Sequence, residues 1–152
     1  MQIIFAALLL VLAVPALGGP IMQHATGTFD VSITPAAADS ADGVTLGRMT
    51  VAKTFAGPLT AISKGDMLTG AGGVAGSAAY VLIERVTGSL AGKTGSFALA
   101  HLGVMDRGKP ELRVTIVPDS GSGELTGISG TLIIRIESGK HFYDLDYRLP
   151  SP

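Results

Sequence analysis

The chain has 152 residues, which suits a single domain, and a net charge of −1 with no clustered basic run, which excludes the footprint of a nucleic-acid binder. Hydrophobic residues make up 47%, Gly numbers 21, aromatics are 5% and Trp is absent, a balance that favours short strands and tight turns over helices. Cys is absent, which excludes disulfides, thiol nucleophiles and Cys-based metal sites; Asn is absent too, which excludes N-glycosylation.

Residues 3–17 are almost wholly apolar and are broken at Pro15. Ala16-Leu17-Gly18 places small residues at −3 and −1, so residues 1–18 predict an export signal cleaved after Gly18. The apolar run is short for a membrane span; an uncleaved anchor is the alternative. Without a Cys near the cut, the mature protein is not a lipoprotein. It is expected to be exported, periplasmic or secreted, with no membrane association after cleavage. Residues 19–25 then form a leader, 26–149 the domain, and 150–152 a tail.

Residues 26–34 (TGTFDVSIT) alternate polar and apolar side chains and predict a first strand, followed by a loop over 35–43 (PAAADSADG). Residues 46–55 predict a second strand with Met49, Val51, Lys53 and Phe55 on one face. Gly57-Pro58 turns the chain into a third strand over 59–68, and TGAGGVAG at 69–76 is a flexible connection. Residues 77–87 and 95–105 flank Ala91-Gly92 and predict a long hairpin. Strands over 111–117, 125–137 and 140–149 complete the chain, with PDSGSG as a turn and bends at Gly127 and Gly130. Eight strands with short links are antiparallel neighbours. They shed exposed edges by closing, so the expected fold is all-β, a single eight-stranded antiparallel β-barrel. A β-sandwich is the alternative.

The ordered blocks GRMTVAKTFAGPL, SKGDML, SAAYVLIERVTGSLAGKTGSFALAHLGVMDRG and LRVTIVPDSGSGELTGISGTLIIRIESGKHFYDLDY resemble a bacterial domain-of-unknown-function family. That family's fold is similar to the allene oxide cyclase barrel. The likeness runs from Thr26 to Leu149; it implies the barrel and implies no activity. The chain departs from the family pattern at Gly57-Pro58, where Gly-Asp is usual, and at Ala100, where a Gln usually precedes the barrel His. If that Gln touches a ligand in relatives, the contact is missing here.

A two-residue turn at Ala91-Gly92 pairs Leu90 with Lys93, Glu84 with Leu99, Leu82 with His101 and Tyr80 with Gly103. Tyr80, Glu84, Phe97, Leu99, His101 and Met105 then share one largely apolar face, the expected barrel interior. Glu84 and His101 are diagonal neighbours within reach of each other. A turn with an odd number of residues would put Arg85 there instead. Lys53 and Ser63 point to the same interior. Such a set can bind the polar end of a ligand or act as an acid–base pair; its structural counterpart is a buried ion pair. Lys53 could instead snorkel to water. His141, Tyr143 and Tyr147 share a face of the last strand, but no close ligand spacing supports a metal site with His101. GSLAGKT at 88–94 has one residue too few for a phosphate loop, and Gly70, Gly72 and Ala75 precede no helix, so no cofactor is implied.

The leading expectation is a barrel that binds a small apolar or amphipathic molecule. Lys53, Glu84 and His101 would orient its polar end, and Tyr80, Phe97, Leu99 and Met105 would form the wall. The alternatives are an isomerase or cyclase with Glu84 and His101 as candidate catalytic residues, and a homo-oligomeric module with a filled barrel.

Overall fold

A computed structural model describes residue 19 and residues 21–151. The expected export signal lies outside the described residues. The described residues form nine strands: β1 (Gln23–Ala41), β2 (Val44–Ala56), β3 (Leu59–Ala71), β4 (Ala78–Leu90), β5 (Lys93–Asp106), β6 (Lys109–Ile116), the two-residue β7 (Ser122–Gly123), β8 (Ser129–Glu137) and β9 (Lys140–Arg148). All pairings are antiparallel, in the order β4-β3-β2-β1-β9-β8-β6-β5-β7, and β4 pairs with β5 to close the ring. The result is an eight-stranded closed barrel with β7 as an extra strand on β5. The sandwich alternative is thereby excluded.

Several predicted boundaries differ for physical reasons. The expected leader already joins the sheet at Gln23, which pairs with Tyr147. The expected loop over 35–43 is strand as far as Ala41, because it zips onto β2; a register shift between Pro35 and Ala37 accommodates the proline. Asp42 and Gly43 make the turn, both at positive φ. Conversely, residues 125–128 are not strand: 125–127 are turn, and the strand begins only at Ser129.

That turn belongs to a segment, residues 117–128, that crosses one end of the barrel. The first part of β5 has no β6 partner, since β6 pairs only from Leu99 onward. Side chains of the crossing segment satisfy the β5 backbone instead. Ser120 Oγ accepts from Ala98 N–H at 3.0 Å, Ser122 Oγ from Ser96 N–H at 3.2 Å, and Glu124 Oε2 from Thr94 N–H at 2.7 Å. With the backbone held this way, Leu125 and Ile128 drop into the barrel end, each 1% exposed. Ser120 and Ser122 of PDSGSG thus have a structural role.

The described residues form two apolar clusters in the interior. The larger fills the capped end around Phe55, Leu59, Leu90, Phe97, Tyr143 and Leu145. The smaller comprises Val51, Met67 and Leu82 at the other end. Closure is thinnest between β6 and β8, which share one paired position, Thr115 with Thr131.

Candidate functional site

Between the two clusters lies a polar layer. Lys53, Ser63, Glu84 and His101 are the buried polar side chains among the described residues, from β2, β3, β4 and β5. The hairpin pairs as expected: Leu90 with Lys93, Glu84 with Leu99 and Leu82 with His101. Ala91 and Gly92 both adopt positive φ, as a tight hairpin turn requires. Arg85 accordingly faces outward.

Glu84 is the hub. Its Oε1 accepts from Lys53 Nζ at 2.5 Å and lies 2.7 Å from His101 Nε2; its Oε2 accepts from Ser63 Oγ at 2.5 Å. Burial pushes its carboxyl up, but the His101 hydrogen bond, the Lys53 charge and the Lys53 and Ser63 hydrogen bonds outweigh it and hold the group at about 2. Burial pushes His101 below its ordinary value; Lys53 adds to this and Glu84 opposes it. The ring is therefore neutral at pH 7. Because Glu84 can only accept, the proton sits on Nε2 and the Nδ1 lone pair is free. Nδ1 is the ring's remaining polar atom, on a buried residue that lines a cavity.

Two glycines make this layer possible. Gly65 pairs with Glu84, and a Cβ there would lie 2.4 Å from Ile83 O and 2.6 Å from Glu84 Cβ. Gly103 pairs with Tyr80, whose ring occupies the space of the missing side chain; a Cβ would meet it at 2.1 Å. Isolated glycines within strands signal such close approaches, and that signal was available in the sequence.

Above the layer is a cavity of about 320 Å³. Its wall is largely apolar, including Phe29, Val51, Met67, Leu82 and Ile134, with Lys53, Thr69, Tyr80, His101 and His141 as polar points. The Tyr80 hydroxyl is held above its ordinary value by burial and by the Glu84 charge, so it keeps its proton. Lys53 Nζ lies 5.4 Å from the Phe29 ring centroid, and the Phe29 and His141 centroids are 5.0 Å apart. Larger hollows, about 440 and 600 Å³, lie along β1–β3 and β3–β5 among groups such as Thr50, Lys64, Asp66 and Arg85.

The cavity brings together Lys53, Tyr80 and His101, with Glu84 directly behind them. It does not include Phe97, Leu99 or Met105. Phe97 and Leu99 pack in the capped end, and Met105 is 42% exposed near the turn after β5. Alternation fixes the face of a residue but not its height in a sheared barrel. Tyr143 and Tyr147 are buried below the layer; Tyr143 Oη accepts from Leu59 N–H at 3.0 Å. Ala100 sits on the outward-facing alternation of β5, so the missing Gln does not remove a group from this cavity.

The molecule is thus a closed antiparallel barrel with a satisfied charged layer beneath an apolar cavity. The family described as "Protein of unknown function (DUF3224)" matches residues 25–147, and the chain belongs to that family. A crystal structure of a protein with unknown function from that family, from Shewanella oneidensis MR-1, is 48% identical, with a TM-score of 0.80 over 87% of this chain and 100% of that one. No curated protein matches the chain.

Proposed function

We propose that the barrel binds a small, largely apolar molecule, with the ligand's polar end against Lys53, Tyr80 and His101. The observation that carries this is the position of the polar layer. It forms the floor of an open apolar cavity of about 320 Å³, whereas the other end of the barrel is filled. That volume is at the small end of ligand sites, roughly 300–1,000 Å³. The test is native mass spectrometry of protein purified from its native host. A reproducible extra mass, lost in Leu82→Phe, which fills the cavity without touching Glu84, supports the reading. A clean apo mass favours the filled module instead.

An acid–base enzyme is the second reading. A neutral His101 backed by a carboxylate offers a basic nitrogen to the cavity, the arrangement of a general base. Glu84 itself, held at about 2 with both oxygens occupied, serves as the orienting partner. The finer fold assignment, an allene oxide cyclase-like barrel, draws support from the strand number and antiparallel closure. Export draws support from the apolar run before Pro15, and a mature mass beginning at Gly19 checks it. Leu68, Val81 and Leu102, exposed side by side across β3, β4 and β5, support a homo-oligomer.

A further inference from the structure

The polar layer is closed on its inner side and balanced in charge. Lys53 and Glu84 neutralise each other, and Glu84 has both oxygens engaged by Lys53, His101 and Ser63. The residues lining the cavity bring an acceptor, His101 Nδ1, next to donors on Lys53 and Tyr80, with Thr69 and His141 further along the wall. A ligand carboxylate would suit this badly. It would bring a second anion to a lysine already paired, and it would set its own lone pairs against that of Nδ1. Burying a charge without a dedicated partner is costly in an apolar site. An ether or ketone could accept from Lys53 or Tyr80 but would leave Nδ1 unpaired. A hydroxyl does both, donating to Nδ1 while accepting from a neighbouring donor.

Resting on the cavity-binding reading above, we propose that the ligand is an uncharged alcohol or phenol whose hydroxyl donates to His101 Nδ1, with its apolar body between Val51, Met67, Leu82 and Ile134. The same logic gives His101 the discriminating role and Glu84 a positioning one, since Glu84 fixes which ring nitrogen carries the proton.

The test compares 1-octanol, octanoate and octyl methyl ether as probes, titrated calorimetrically into the full-length mature protein at pH 7.5. The expected result is that octanol binds about tenfold more tightly than either of the others, the scale of one well-placed hydrogen bond. His101→Phe, checked for folding by circular dichroism, should bring octanol down to the affinity of the ether. If that variant does not fold, the three probes on the unaltered protein still decide. Octanoate binding as tightly as octanol, or ether matching octanol, overturns the hydroxyl assignment and leaves the cavity reading standing. Binding of none of the three overturns both.

Discussion

Below the charged layer the barrel is filled, and above it the same strands enclose open space. At the capped end Leu90 and Tyr143 are fully buried, and Leu125 and Ile128 close the base. At the open end Ile33, Leu112 and Ile136 line the cavity and remain exposed. The difference lies in the connections. One end is crossed by residues 117–128, whose Ser120, Ser122 and Glu124 replace the missing ladder on β5. At the other end the β8–β9 hairpin stops at Ser138-Gly139 while the β1–β2 hairpin runs on to Asp42-Gly43, and no segment among the described residues closes over the top. A barrel of eight strands leaves room for either outcome; the connecting segments choose between them.

The comparison can be broken first at the layer between the two ends. Glu84→Gln leaves the Lys53 ammonium buried without a counter-charge and should cost about 3–5 kcal/mol in urea unfolding. Adding Lys53→Met to it should restore roughly half of that loss or more, because the stranded cation is gone. A double variant as unstable as the single one would mean that packing, and not charge, governs the layer.

Next, the two ends should respond differently to truncation. Phe97→Ala opens a sealed void in the filled end and should cost about 3–5 kcal/mol. Leu82→Ala should cost about 2 kcal/mol, because the space it leaves joins a cavity that is already open. Equal losses would erase the distinction between the ends.

The pH dependence of the melting temperature tests the layer between the two ends without altering a residue. Glu84 and His101 are both held below their ordinary values, 4.5 and 6.5, so the unfolded chain binds more protons than the folded one as the pH falls. Their contribution to stability is complete above about 6.5. It declines below that as His101 favours unfolding, and further between 4.5 and about 2 as Glu84 is protonated. His101→Phe should abolish the upper phase and narrow the lower one. A melting temperature flat from pH 7 to pH 5 in the unaltered protein would contradict the buried neutral His101.

Much of the layer was legible in the sequence. A two-residue turn at Ala91-Gly92 places Glu84 diagonal to His101, and the structure adopts that turn rather than the odd-residue alternative with Arg85. The period of two put Lys53 on the apolar face of its strand. The cavity wall was not legible. Phe97 and Leu99 share a face with His101 but lie on the capped side of it, a consequence of shear that no local pattern encodes. Residues 35–41 have loop-like composition, and only pairing with β2 makes them strand.

The chain's own order of residues determined the all-β class, the hairpin registers and the identity of the interior polar groups, because alternation and turn chemistry are local. Tertiary closure alone decided which end is filled, where the cavity lies and that four polar side chains from four strands meet at one carboxylate. Those outcomes depend on the relative heights of strands joined around a ring and on a segment that bonds to β5 from across the base.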